Sequence, residues 1–258
     1  MSRKKRPVAQ IFGSKPENFY KAAQMIKELG FDGVDINMGC PVKKVLNQSS
    51  CSDLIRHPRR AQEIIQATKE GAADLPVSVK TRIGFGKIDI ENWIPVLANS
   101  DIAALTVHLR TVREMSKVPA HWELMPQIVK IVREASPETL VLGNGDVMSV
   151  AEAKEKVRET GCDGVMMGRG IFGNPWLFSK SASPSIQERL QVMLEHTKLF
   201  EQKFHGIKNF EIMKKHYKAY VTGFDGAKEL RMELMNAKDF AEVEQIVENA
   251  MIKTWKNG

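Results

Sequence analysis

The chain has 258 residues and a formal net charge of +7, with 43% hydrophobic and 27% charged residues, so it can bury a substantial core like an ordinary globular protein. It contains no apolar run long enough to span a bilayer and no secretory leader pattern. Its three widely spaced cysteines favour reduced thiols over a disulfide framework, so a cytoplasmic protein is expected. The excess of basic residues is compatible with a polyanionic partner but does not require one.

Six short apolar runs rich in β-branched residues alternate with amphipathic stretches along the chain. The runs predict strands at residues 8–12, 33–37, 77–81, 104–108, 140–143 and 164–167. Helical periodicity lies between them, for example at residues 17–29, 59–70 and 150–160. Near-continuous apolar strands that alternate with helices are typical of a parallel sheet whose two faces are covered.

Functional groups recur at the carboxyl ends of these strands. They are Gln10, Asn37, Cys40, Lys80, His108, Asn144, Gly145, Asp146, Gly168 and Arg169. An α/β barrel gathers its active site from many strand ends, whereas an open doubly wound sheet uses one crevice. The pattern therefore predicts an α/β fold of the TIM (β/α)8 barrel type, incomplete because six strands are recognisable.

A linker is predicted at residues 181–185, where serine and alanine residues flank Pro184. The pattern that follows is helical, with few strand signals, through Trp255. We therefore expect a barrel domain over residues 1–180 and a small all-helical C-terminal domain over residues 186–258, a normal size for a separate domain.

The turn after the second predicted strand carries the clearest motif of the chain. Its residues are Asp35-Ile36-Asn37-Met38-Gly39-Cys40-Pro41. The motif presents an amide, a glycine and a thiol together, and it resembles the signature of the tRNA-dihydrouridine synthases, flavin enzymes that reduce a uracil ring in tRNA. The resemblance covers essentially the whole chain. It implies a barrel that binds FMN, NADPH as the reductant, tRNA as the substrate, and a C-terminal helical domain that binds the tRNA.

Within this motif the resemblance implies that Cys40 is the catalytic acid, which gives a proton to C5 of uracil, and that Asn37 holds the target base. A thiol with an ordinary pKa of about 8.5 is mostly protonated at neutral pH, as this step requires. Gly39 and Pro41 suit the turn, since one allows unusual backbone angles and the other stiffens the chain. From the residues alone, a packing role for the thiol and an amide that satisfies its own turn are the alternatives.

The resemblance also implies which residues contact the flavin. The ring is expected at Gln10, Lys80 and His108, and the phosphate at Asn144, Gly145, Asp146, Gly168 and Arg169. Physical reasons agree: an unpaired buried amide costs about 1–3 kcal/mol, a buried ammonium requires a partner, and glycine-containing loops after the last strands of a barrel commonly bind phosphate. A salt bridge for Lys80 and a structural role for His108 are the alternatives.

The C-terminal region contains a cluster of cationic and aromatic residues that also resembles the family. On a helix Lys214 and Lys218 share one face, and Tyr217 and Tyr220 are close neighbours. Cations and aromatic rings together suit contact with an RNA backbone and stacking on its bases. The residues alone are also compatible with a solvated helix that has one core face.

Three residues depart from the family pattern. Leu109 stands where the family has glycine, and Cys51 and Asp53 stand where it favours glycine and alanine. The family also has two strands upstream of the first strand recognised here. The chain is therefore expected to be a truncated product, a truncated gene model or a divergent short form.

Two other functions compete with the synthase. One is another FMN-dependent barrel oxidoreductase that acts on a small molecule, such as a relative of dihydroorotate dehydrogenase. The other is an inactive RNA-binding remnant that lacks flavin. A monomer without a membrane or metal partner is expected, unless the missing strands force association.

Overall fold

The structure is a computed structural model that describes residues 7–179 and 184–256. Its strands are β1 Val8–Ile11, β2 Gly33–Asn37, β3 Val77–Arg82, β4 Ala104–His108, β5 Leu140–Asn144 and β6 Gly164–Met166. Its α-helices are α1 Pro16–Glu28, α2 Lys43–Leu46, α3 Pro58–Ala72, α4 Ile90–Ala98, α5 Met125–Ala135, α6 Val150–Thr160, α7 Ile186–Phe204, α8 Glu211–Tyr220, α9 Ala227–Leu234 and α10 Phe240–Lys256. Short 3₁₀ helices occur at Cys51–Arg56, Trp122–Leu124 and Arg169–Ile171.

The six strands form one parallel sheet in which each strand pairs with the next along the chain, from β1 to β6. Each strand ends within one residue of its predicted boundaries. A consecutive order of parallel strands joined by helices is the winding of an α/β barrel, whereas a doubly wound sheet reverses direction. The predicted fold class, a barrel-type α/β sheet followed by a helical part, is confirmed.

The core of the sheet forms where apolar strand residues meet the helices that cover them. Val34 and Ile36 of β2 and Val79 of β3 are fully buried, as near-continuous apolar strands require. Trp93 of α4 is also buried, and its indole Nε1 donates to Thr81 Oγ1 at 2.9 Å, so its single polar group is satisfied. This packing fixes the strands whose carboxyl ends carry the predicted functional residues.

Helices α1 and α3 pack so closely that glycine is required at one position. A Cβ atom on Gly71 of α3 would lie 2.2 Å from the backbone oxygen of Tyr20 in α1. In an isolated helix, alanine stabilises the helix by about 1 kcal/mol relative to glycine. Here the added Cβ would clash with a backbone oxygen, which cannot rotate away as a side chain can.

Gly71→Ala is therefore expected to lower the free energy of unfolding by about 1–3 kcal/mol, measured by urea denaturation. Gly86→Ala is the matched control, because Gly86 is exposed and a Cβ there meets no atom within 4 Å. The control should change the free energy of unfolding by less than about 0.5 kcal/mol. Equal stability of the two variants would contradict the close helix packing.

The chain divides into two compact units, Met1–Gly168 and Arg169–Gly258. This division precedes the boundary expected at residue 180, and the linker expected at residues 181–185 lies mostly outside the described residues. The binding roles expected for the two domains stay predictions. Within the described ranges, no helix combines the length and apolarity needed to cross a bilayer.

Helices α7 to α10 enclose their own apolar core in the second unit. Tyr217 and Tyr220 belong to this core, with 1% and 6% of their surface exposed, and Lys214 is also buried, with its ammonium on Glu211. The suggestion that these tyrosines are available to stack on RNA bases is therefore wrong. The helical pattern did not reveal which face of α8 points inward, because both faces contain large side chains.

Candidate active site

The sheet brings most of the predicted functional residues to the same edge. In the pairing of β2 with β3, Asn37 lies beside Lys80. Across β3, β4 and β5, Arg82, His108 and Asn144 are direct neighbours in one row. Since all strands are parallel, these side chains lie at the carboxyl end of the sheet, where barrel enzymes place their active sites.

The loop after β2 is organised by the side chain of Asn37. Its Oδ1 accepts hydrogen bonds from the backbone N–H groups of Gly39 and Cys40, both at 3.1 Å. Its Nδ2 donates to Gln10 Oε1 at 3.0 Å. Asn37 therefore forms an Asx turn that holds the backbone next to the Cys40 thiol. Its second N–H has no partner among the described residues, and the expected contact with a base stays a prediction.

Sequence analysis did not assign a role to Asp35, a carboxylate that is linked to this turn through Gln10. Asp35 is buried, and its two oxygens accept from Gln10 Nε2 and Ser78 Oγ, each at 2.6 Å. Burial raises the pKa of Asp35, and the hydrogen bonds from Ser78 and Gln10 oppose that rise. The acid within an otherwise apolar strand was the available signal, since a buried carboxyl needs partners.

Gln10 departs from the expectation of a buried amide. Its side chain is exposed, because β1 lies at one end of the described sheet, and its amide bonds to Asp35 and Asn37 instead of lacking partners. The cost of an unpaired buried amide therefore gives no independent reason for a ligand at this position. The flavin contact expected for Gln10 stays a prediction.

Lys80 is a half-buried cation at the end of β3. Burial lowers the pKa of its ammonium, and the neighbouring Arg82 lowers that pKa further, while the charge of Asp35 raises it. In the described part of the chain no carboxylate oxygen lies within ion-pair distance of Lys80 Nζ, so the alternative of a salt bridge is not observed. The arrangement favours an anionic ligand beside this ammonium.

A second residue that sequence analysis missed, Arg82, connects two loops of the site. It is buried, and its guanidinium donates to the carbonyl oxygens of Gly39 at 2.7 Å and of Thr111 and Met115 at 3.1 Å. Burial, and then the charge of Arg110, lowers the pKa of Arg82 to about 10, so the group stays cationic at neutral pH. A cation in the last position of an apolar strand was the signal that could have identified it.

The two cysteines of the β2 loop have different environments. Cys40 is half-buried, whereas Cys51 is buried. Burial, and then the nearby Cys40, raises the pKa of the Cys51 thiol to about 12. At about pH 8 a thiol with this pKa is ionised to about one part in 10⁴, which makes it a poor nucleophile.

We expect iodoacetamide to modify Cys40 before Cys51 in the folded protein, as measured by peptide mass spectrometry at about pH 8. Unfolding in urea should remove the difference, because all three thiols then have ordinary pKa values and full access to the reagent. Earlier modification of Cys51 would contradict the buried position of its thiol.

The other two departures from the family pattern are accommodated within the first unit. Leu109 is fully buried in the core, and its backbone N–H donates to the Asn144 carbonyl at 3.0 Å. Asp53 is buried and forms an ion pair with Arg56. Neither residue therefore leaves an exposed apolar side chain or an uncompensated charge in the loops of the site.

The loop after β5 is held by contacts within the protein. Asn144 Nδ2 donates to the Met166 carbonyl at 2.7 Å, and the Asp146 carboxylate forms an ion pair with Arg110. At Gly145 the backbone has φ +138°, and a Cβ atom there would lie 2.6 Å from the Ala120 Cβ. The side chains of Asn144 and Asp146 thus shape this loop, and the phosphate contact expected at Asn144, Gly145 and Asp146 stays a prediction.

His108 lies between these loops at the end of β4. Arg110 Nη1 is 3.2 Å from His108 Nε2. Burial, together with the charges of Arg82, Lys80 and Arg110, lowers the pKa of His108 to about 3, while Asp146 opposes these effects. The imidazole is therefore neutral at physiological pH.

The two remaining predicted phosphate contacts follow β6. Gly168 is exposed, and a Cβ atom there would meet no other atom within 4 Å, so this position is open. Arg169 begins the 3₁₀ helix Arg169–Ile171 in the second unit. The phosphate-binding roles expected for Gly168 and Arg169 stay predictions.

Comparison with known proteins assigns the chain to a family. The family model for dihydrouridine synthase (Dus) matches residues 1–256. A probable tRNA-dihydrouridine synthase of Staphylococcus aureus (strain MRSA252) is 43% identical over 244 residues, which cover 93% of this chain and 74% of that protein. The probable tRNA-dihydrouridine synthase 2 of Bacillus subtilis (strain 168) is 43% identical over 245 residues, with 94% and 75% covered.

Solved structures show only a distant likeness. The structure of 2,3-dimethylmalate lyase superposes with a TM-score of 0.46 at 13% identity, over 89% of this chain and 91% of that one, and contributes nothing to the assignment. The family model and the sequence relatives each cover more than nine-tenths of the chain. The chain therefore belongs to the dihydrouridine synthase family.

Proposed function

We propose that the protein is an FMN-dependent tRNA-dihydrouridine synthase, an oxidoreductase that reduces specific uridines of tRNA to 5,6-dihydrouridine with NADPH as the reductant. The observation that carries the proposal is the Cys40 thiol in an ordered turn directly after β2, the strand whose last residue, Asn37, pairs with Lys80 of β3 at the carboxyl end of the sheet. Membership of the dihydrouridine synthase family supports the same reaction. A cytoplasmic location follows from the substrate.

The residues of the site fit FMN. Lys80 is a half-buried cation with no carboxylate at ion-pair distance in the described chain, as a site for an anionic flavin requires. Lys80, Gln10 and His108 would hold the flavin ring, and Arg169 and the loops at Asn144, Gly145, Asp146 and Gly168 would hold its phosphate. FMN, when bound and reduced, supplies the hydride for C6 of uracil.

Cys40 supplies the proton in this proposal. Its S–H bond breaks as a C–H bond forms at C5 of the uracil ring, which leaves a thiolate on Cys40. Lys80 and Arg82 each interact with the charge of Cys40, so this thiolate forms next to two cations. Asn37 keeps the thiol in place through the N–H groups of Gly39 and Cys40, and its remaining N–H is available to an acceptor on the base.

The helical unit would supply contacts with tRNA. Lys218 of α8 is exposed, whereas Tyr217 and Tyr220 are core residues, so cationic contact with the phosphate backbone is favoured over base stacking there. Such contacts weaken as salt increases. The oligomeric state expected is a monomer.

The test combines flavin binding with tRNA analysis. The purified protein should contain FMN or take it up on reconstitution, and tRNA from a deletion strain should lack dihydrouridine at specific positions until the gene is restored. Failure to bind flavin would favour the inactive RNA-binding remnant. Flavin binding with unchanged dihydrouridine content would instead favour an oxidoreductase that acts on a small molecule.

A further inference from the structure

Arg110 is a buried cation whose guanidinium contacts three groups around the end of β4. Only 3% of its surface is exposed. Its Nε donates to the Val118 carbonyl at 2.6 Å, its Nη2 pairs with the Asp146 carboxylate, and its Nη1 lies 3.2 Å from His108 Nε2. The planar guanidinium fixes the relative positions of these three partners, which a flexible ammonium would not do.

The contact with His108 determines where the imidazole carries its proton. Arginine has five N–H donors and no acceptor, so Nε2 must accept the hydrogen bond through its lone pair. A neutral imidazole with an unprotonated Nε2 carries its single proton on Nδ1. The pKa of His108, lowered to about 3 by burial and by the cations Arg82, Lys80 and Arg110, agrees with a neutral ring.

The loop after β5 holds this arrangement in place. Asp146 Oδ2 accepts from the Ala120 N–H at 2.9 Å, and Trp122 Nε1 donates to the Gly145 carbonyl at 2.9 Å. A Cβ atom on Gly145 would lie 3.4 Å from His108 Cδ2, so the absence of a side chain lets the loop lie close to the ring. No hydrogen bond to His108 Nδ1 occurs among the residues that the structure describes.

We propose that Arg110 and Asp146 are positioning residues that hold His108 as the neutral tautomer with its proton on Nδ1, which makes it a fixed donor for an acceptor atom of the ligand. The ligand expected here is a heteroaromatic ring with carbonyl or imine acceptors, and its identity rests on the proposed function. The position of the proton on His108 does not depend on the proposed function, because it follows from the contact with Arg110. The Asp146 carboxylate then acts through Arg110.

The test is nitrogen-15 NMR of the imidazole groups in the full-length protein labelled at its six histidines. The His108 signal is identified by its loss in His108→Gln. We expect a protonated Nδ1 and an unprotonated Nε2 that persist as the pH is lowered below the ordinary histidine pKa of about 6.5. A proton on Nε2 in the wild-type protein would overturn the proposal, whether or not any variant folds.

Three variants separate geometry from charge. Arg110→Gln should give a mixture of tautomers and raise the His108 pKa by about one pH unit or more, because a neighbouring cation is lost. Arg110→Lys keeps the charge but lacks the fork, so the tautomers should mix while the pKa stays low. Asp146→Asn, which releases the guanidinium from its ion pair, should give a smaller admixture of the second tautomer.

The matched control is Arg133→Gln, which breaks the Arg133–Asp163 pair, a contact that involves neither His108 nor its neighbours. It should leave the His108 tautomer and pKa unchanged. Wild-type behaviour of His108 in a folded Arg110→Gln variant would also overturn the proposal. FMN binding by the wild-type protein is measured separately. FMN binding without the Nδ1 tautomer of His108 would contradict this inference alone, whereas the Nδ1 tautomer without FMN binding would contradict the proposed function alone.

Discussion

Replacing Cys40 with alanine is expected to slow the reduction of uridine in tRNA by about 10²–10⁴-fold, the usual contribution of a general acid, while FMN remains bound. The loop should keep its shape, because Asn37 holds it through the N–H groups of Gly39 and Cys40, and Arg82 binds the Gly39 carbonyl. The loop contributes only backbone atoms of Gly39 and Cys40 to these contacts, so they do not depend on the Cys40 side chain. The measurement is reoxidation of the reduced flavin by unmodified tRNA in a single turnover, with flavin absorbance as the binding readout.

Cys162→Ala is the matched control for this experiment. Cys162 is another free thiol of the first unit, buried where Cys40 is half-buried, and its Sγ lies 3.3 Å from both Thr160 Oγ1 and the Gly164 carbonyl. The control should reoxidise at the wild-type rate. Turnover by Cys40→Ala close to that of the control would exclude Cys40 as the proton donor.

Replacing Asn37 with alanine is expected to reduce the rate by about 10²-fold and the free energy of unfolding by about 1–3 kcal/mol. The rate falls because the turn no longer holds the Cys40 thiol in position, and small misplacements of a reacting group have effects of this size. The stability falls because the N–H groups of Gly39 and Cys40 lose their acceptor. Single-turnover reoxidation and urea denaturation measure the two effects.

Asn37→Asp distinguishes the structural role of this side chain from a direct role in base binding. Aspartate keeps an oxygen for the loop N–H groups but cannot donate to Gln10 or to a base. If the turn is the main contribution of Asn37, Asn37→Asp should retain more stability than Asn37→Ala and a flavin site of wild-type affinity. If it also donates to the base, Asn37→Asp should reduce affinity for tRNA as much as alanine does. Equal stability of the two variants would contradict the role in the turn.

The sheet and the position of the loop around Cys40 could be predicted because their signals are local. Continuous apolar runs gave all six strands to within one residue. Parallel strands then place their ends at one edge, which groups Asn37, Lys80, His108 and Asn144 without knowledge of the register. The motif around Cys40 supplied the chemistry through resemblance to a family, which periodicity alone does not provide.

The contacts that hold the site could not be predicted, because they join residues far apart in the chain. Asp35 meets Gln10 only through the β1–β2 register, and Arg82 reaches Thr111 and Met115 from another strand. Charge and polarity in an apolar strand indicate that partners exist without showing which residues they are. The same limit explains why Gln10 was expected to be buried and why Tyr217 was expected to be accessible.

Arg82 has a consequence for how this position tolerates mutation. Its planar guanidinium donates to carbonyl groups in the loops after β2 and β4, so it joins the two loops without any ligand. Lysine supplies the charge but not the three fixed directions. In a saturation library selected for activity, codon 82 should be depleted of every alternative, including the chemically closest one. Such depletion would reflect the support of the loops even if the guanidinium never contacts a substrate.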